Sequence, residues 1–266
     1  LVGGVFAAIL GPQAVIWTKD LLLPTPFAGA FLSGTALLAV TLVVLAFLSP
    51  STPAGAGVGA ATRPARPLGE IMRQPRFMVA VLCGTASYAL MSLVMTAAPL
   101  AMIGCGFTAE DSTLGIQWHV LAMFVPSFFT GNLINRFGKA PIVATGLLIL
   151  VACGLLALAG VELMHFWGAL ILLGIGWNFG FIGATAMLTS AHGPQDRGRV
   201  QGMNDLFVFG GVTMASLASG GLMNCSGGDP AQGWTAVNLA MIPFLALAGT
   251  ALIWLVMRSK EPLPAT

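Results

Sequence analysis

The stretch GNLINRFGKAP, Gly131 to Pro141, places two cations and two glycines between long runs that carry almost no charge. A loop that only turned the chain could use any polar residues, so its meaning depends on what it joins. Working outward, the chain of 266 residues is 57% hydrophobic and 8% charged, with a mean hydropathy of +0.91. Soluble domains carry about 25% charged residues. A bilayer core needs roughly 20 apolar residues per helix, and such runs recur near residues 1–18, 27–48, 77–103, 113–134, 141–161, 164–189, 205–223 and 234–257. A chain in lipid must satisfy its own backbone groups, and runs of this length rich in Leu, Ala and Gly do so as helices. The fold expected is therefore all-α, a polytopic membrane helix bundle with eight transmembrane helices.

The charges between the runs are sorted by loop. Arg63, Arg66, Arg73 and Arg76 follow the second run, Arg136 and Lys139 the fourth, Arg197 and Arg199 the sixth, and Arg258 and Lys260 the eighth. The alternate loops carry Glu110, Asp111, Glu162 and Asp229, with Lys19 their one cation. Lys and Arg are retained on the cytoplasmic side, so the even-numbered loops and the C-terminus are expected there, in an inner, cytoplasmic membrane. Residues 49–69, SPSTPAGAGVGAATRPARPLG, are too poor in apolar side chains to form a core and read as a linker. The following EIMRQPRF reads as a short surface helix before Pro75, with Ile71, Met72 and Phe77 toward lipid, or as a solvated tether. The cysteines, Cys83, Cys105, Cys153 and Cys225, form no C-x-x-C pair.

Gly131, Asn135, Arg136, Gly138 and Lys139 follow the G-x-x-x-D-R-x-G-R/K loop between the second and third helices of each six-helix half in the major facilitator superfamily, which this chain resembles. Asn135 departs from the pattern, since the usual residue there is Asp. Pro194, Arg197, Gly198 and Gly202 in GPQDRGRVQGMNDL resemble a segment linking that family's tenth and eleventh helices, and QWHVLAMFVPSFFTG (Gln117–Gly131) resembles a bacterial subgroup of it. Ala7, Gly11 and Pro12 fit part of a glycine- and proline-bearing pattern of the fifth helix, while Val15 and Ile16 replace its last glycines. The resemblance implies a chain that is the C-terminal two thirds of a twelve-helix fold: residues 1–48 as the last two helices of the N-terminal half, 49–76 as the cytoplasmic linker, 77–257 as the C-terminal six-helix half and 258–266 as a cytoplasmic tail. Helices one to four would precede Leu1. Residue by residue, Gly131 would admit a neighbouring helix, Gly138 a turn that a Cβ hinders, and Arg136 would bond helix-end carbonyls or a carboxylate across a gate. Ordinary positive-inside residues in a tight turn are the other reading of the two cations.

Carriers of this kind bind substrate near the bilayer midplane between their halves, so polar groups deep in the runs are the candidates. Thr85, Tyr88, Ser92 and Thr96 recur at helical spacing and form one stripe. Tyr88 offers a ring and a hydroxyl, although Ser and Thr also bond their own helix and neighbours. Asn178 beside Trp177 is an amide that must find a partner helix, a wet cavity or a ligand. Gly176, Gly180 and Gly183 read as a packing face. Gln117 and His119 are further cavity candidates. His119 offers a route to proton coupling, against which stands a hydrogen-bonded histidine in the aromatic belt.

These features point to a secondary transporter of a small organic solute working by alternating access, with proton or cation coupling open and a monomeric carrier expected. The alternative is a non-transporting membrane scaffold or sensor on the same fold. No cofactor is expected, and an enzyme is not: there is no H-E-x-x-H, no G-x-S-x-G and no buried pair of acids. The basic residues are scattered over separate loops, which excludes nucleic acid as a partner; the lipid bilayer is the one macroscopic partner.

Overall fold

The structure is a computed structural model and describes residues 2–22, 25, 28–48, 67–224 and 228–258. Most of the expected linker, with Arg63 and Arg66, lies outside the described residues, as do Cys225 and all of the tail beyond Arg258, Lys260 included. The helices are α1 (Val2–Thr18), α2 (Ala28–Phe47), α3 (Leu68–Met72), α4 (Pro75–Gly104), α5 (Ala109–Phe124), α6 (Ser127–Phe137), α7 (Lys139–Ala159), α8 (Leu163–Thr189), α9 (Arg197–Asn224), α10 (Pro230–Leu239) and α11 (Met241–Arg258), with a short 3-10 turn at Pro194–Asp196 before α9. Among the described residues six helical segments are long and apolar enough to cross a membrane, with α10 and α11 taken together as one of them. The apolar α1, at 17 residues, and the broken α5–α6 pair occupy the other two of the eight runs.

α4 is the axis of the bundle, packed against α8, α9, α5, α10 and α11. Its ends follow from local chemistry. Pro75 at the first position needs no intrahelical N–H donor. Gly106, at φ +93, stops the helix, so that the Phe107 and Gly106 amides reach back to the Met102 and Ile103 carbonyls at 3.0 Å each. α8 is the second centre and touches α7, α4 and α5. Its glycines make this contact: a Cβ on Gly146 of α7 would fall 2.7 Å from the Gly180 Cα, and the Ser87 side chain of α4 sits over Gly180. Gly176 likewise faces Leu150 and Gly183 faces Val143, which is the packing face expected from their spacing.

Three expectations about the helices need correction. The fourth run is not one helix: Pro126 lacks the N–H that would continue the ladder, and the helix breaks between α5 and α6. The eighth run also breaks, at Ala240. Segment α3 forms before Pro75, but Ile71 and Phe77 are buried in the protein core rather than turned to lipid, because α3 packs on α4 and α9. By contrast α1 runs through Pro12 as one helix.

The two ends of the bundle differ in charge. One end gathers Arg76, Asn135 and Lys139 beside the last turns of α8 and α11. The other holds Lys19 with Glu110, and Asp229; burial, and after it the Asp229 carboxylate, holds the Cys105 thiol above its usual pKa. The alternation read from the loops is thus a segregation in space.

Candidate functional site

The polar stripe of α4 does not open on one cavity, because its members face different neighbours. Thr85 borders an apolar cavity of about 470 Å³ between α4, α9 and the α10–α11 pair, with its hydroxyl buried and unpartnered. The Ser92 hydroxyl meets that of Ser216 on α9 at 2.9 Å. Tyr88 turns toward α8, where its ring stands edge-on to Trp177 and Phe181, with centroids 5.4 and 5.1 Å away, and it lies 6.0 Å from Phe209 of α9. Trp177 and Phe181, one turn apart, are stacked at 5.3 Å and 15°. Edge-to-face and offset stacked pairs at these separations are the favoured aromatic geometries. The four rings form a continuous wall from buried Trp177 to exposed Phe209. The Trp177 indole N–H is buried without an acceptor, a donor left open beside the wall.

Phe181 and Phe209 were not singled out in the sequence. A phenylalanine in an apolar run carries no mark that separates a wall of this kind from a lipid contact. Gln13 was also missed, though an amide in the first run was a usable signal: it donates from Nε2 to Gln117 Oε1 at 3.2 Å, joining α1 to α5. At the same contact the Lys19 ammonium and the Glu110 carboxylate lie 3.2 Å apart.

Asn178 and His119, read from the sequence as cavity candidates, are held here in hydrogen bonds between helices. Both are fully buried at the α5–α8 contact. The Asn178 amide donates to the Met123 carbonyl at 2.6 Å and to the Ser127 hydroxyl at 2.5 Å, and its oxygen accepts from Thr130 at 2.6 Å. Met123 O lies in the last turn of α5, beside the break, where it accepts from the Asn178 amide of α8 and from the Ser127 hydroxyl at 3.4 Å. His119 donates from Nδ1 to the Leu170 carbonyl at 2.8 Å, which fixes its tautomer, and leaves Nε2 buried without a partner. Its neighbour Trp118 is half-exposed at the bundle surface.

In the opening loop, Gly138 at φ +93 ends α6 and starts α7, as expected of a turn that excludes a Cβ. Gly131 does not serve close helix approach here, because a Cβ would meet nothing within 4 Å. Asn135 and Arg136 are exposed, and the Arg136 guanidinium lies over the Phe137 ring at 5.2 Å rather than on a carboxylate. Arg197 is the exposed first residue of α9. Among the described residues no group of three or more His, Cys, Asp and Glu side chains is placed to hold a metal.

The sequence profile of the Major Facilitator Superfamily matches residues 118–266. The riboflavin transporter RfnT of Brucella anthropi is 51% identical over 260 residues, which cover 98% of this chain and 63% of that protein. Two MFS-type transporters of Bacillus subtilis also match: YddS at 26% identity over 277 residues (98% of this chain, 62% of that protein) and YdeG at 35% over 120 residues (44% and 28%). The chain thus spans just under two thirds of the first two relatives' length. All three relatives are named as transporters, in line with the expectation that the chain is not an enzyme.

Proposed function

The chain belongs to the major facilitator superfamily, and from that premise we propose that it acts in the secondary transport of riboflavin or a solute with a similar planar heteroaromatic ring, by alternating access across the inner membrane. The observation that carries this reading is the wall of Tyr88, Trp177, Phe181 and Phe209 with an unused indole donor in it. A flat ring stacks on such a wall without needing shape-matched pockets, and a ring carbonyl would accept from Trp177. The name of the relative at 51% identity supports the same solute.

The remaining expectations fit around this site as parts of one reading. Residues 77–257 form the lobe that carries the wall, and α1–α2 belong to the other lobe. The pairs Gln13–Gln117 and Lys19–Glu110 are then contacts between lobes at the outer end, which must separate when that end opens. Arg136, Lys139 and Arg197 face the cytoplasm and act at the inner gate, where Asn135 cannot supply the usual carboxylate charge. The C-terminus is cytoplasmic. Hydrophobic spans of this length and the sorting of Lys and Arg support the topology.

The test is uptake of labelled riboflavin by a riboflavin auxotroph expressing the gene that carries this chain, with and without a proton gradient. Accumulation above background is expected, and Trp177→Ala should raise the half-saturating concentration roughly tenfold, since a stacking partner is worth about 1–3 kcal/mol. Normal membrane insertion with no accumulation would favour the scaffold or sensor reading, while unchanged uptake by both Trp177→Ala and Tyr88→Ala would remove the wall from the site.

A further inference from the structure

At the cationic end of the bundle a groove of about 480 Å³ lies between the α6–α7 turn, the start of α4 and the last turns of α8 and α11. Its polar side holds Arg76, Asn135, Lys139 and Ser190, and its apolar side Ile134, Leu255 and Val256. Among the described residues no Asp or Glu lines it. Arg76 stands in the first turn of α4 and Lys139 is the first residue of α7, and neither helix has a side-chain cap at its N-terminus. The positive ends of two long helices therefore add to the two side-chain charges. Neither Arg76 nor Lys139 forms an ion pair with a described residue. Asn135 matters here, because a carboxylate at that position would supply the groove with its missing negative charge.

The surroundings fix the depth. Arg136 lies over Phe137 and Arg258 over Trp254, at 5.2 and 5.4 Å, and both rings are half-exposed. Aromatic rings with a cation beyond them mark the boundary between hydrocarbon and headgroups. A groove at that level, cationic on one wall and aliphatic on the other, matches an amphiphile rather than a free ion.

We infer that this groove binds the headgroup of an anionic phospholipid, its phosphate between Arg76 and Lys139 and the start of its acyl chains on Leu255 and Val256. Basic pockets between membrane helices hold anionic headgroups by the same combination of local charge and interfacial position. The site lies apart from the aromatic wall and shares Lys139 with the proposed inner gate.

The full-length protein in mixed phosphatidylglycerol and phosphatidylcholine nanodiscs, analysed by native mass spectrometry after detergent release, tests it. Retained phosphatidylglycerol is expected, with affinity lower by roughly fivefold in Arg76→Gln and again in Lys139→Gln, on the scale of one interfacial cation each. Asn135→Asp keeps both cations and should weaken retention as well, which separates loss of the site from loss of the fold. Millimolar inorganic phosphate should fail to displace the lipid. Equal retention by the double variant and the parent, no effect of Asn135→Asp, or displacement by phosphate alone would each overturn the assignment.

Discussion

Where α7 meets α8, Gly146 lies against Gly180 and the backbones approach with no side chain between them. Where α1 meets α5, one end of the contact is the Phe124 ring on Gly4, and the rest includes two polar ties, Gln13–Gln117 and Lys19–Glu110. The first kind of contact depends on dispersion at close range and disappears with any added atom. The second uses groups that water and headgroups can solvate once they part, so separation costs little. On the alternating-access reading proposed above, the first contact would belong to helices that move as one body and the second to helices that part.

The sharpest way to break the comparison is Gly180→Leu. Its side chain would meet Ser87 on one side and the α7 backbone on the other, so the protein should fail to run as a folded monomer in detergent. Asn178→Leu strikes the same body through its hydrogen bonds. Three bonds at roughly 0.6 kcal/mol each suggest a loss on the order of 2 kcal/mol, read by thermal unfolding in detergent. Thr108→Ala removes the capping box at the start of α5, in which Thr108 Oγ1 accepts from the Asp111 amide at 3.1 Å and Asp111 Oδ2 accepts from the Thr108 hydroxyl and amide. About 1 kcal/mol should go. Those bonds hold the Asp111 carboxyl below its ordinary range. The carboxylate half of the cap is therefore fully present above the usual carboxylate pKa and is lost as pH falls through the lowered value, while the Thr108 Oγ1 bond to the Asp111 amide persists, so the stability gap between wild type and Thr108→Ala should narrow in strong acid without closing.

The smallest stability effect belongs to the separable contact. Lys19→Glu should cost under about 1 kcal/mol, because both partners are exposed. Transport should slow in Lys19→Glu and recover in the Lys19→Glu/Glu110→Lys exchange. A large loss of stability in the single variant would show that α1 and α5 are held as firmly as α7 and α8.

The spans were legible because each needs only a run of apolar residues long enough for the bilayer, and the segregated ends because charge alone reports them. The break at Pro126 was not, since proline in a membrane helix is tolerated or disruptive according to partners, and its partner Asn178 lies on another span. The stripe from Thr85 to Thr96 was legible as a stripe. Its neighbours were not: helical spacing says which residues share a face, while packing decides that Ser92 meets Ser216 and Tyr88 meets Trp177. Gly131 shows the same limit, since glycine allows an approach without specifying that a helix makes one.

The amide of Asn178 has a mechanical consequence. Since the hydrogens beside the gap at Pro126 are lent by α8, the two pieces of the fourth span are stitched to the sixth at their joint. Bending that joint alone would tear out the stitch and leave the amide hydrogens of Asn178 unpaired in oil, which ties α5, α6 and α8 into one unit.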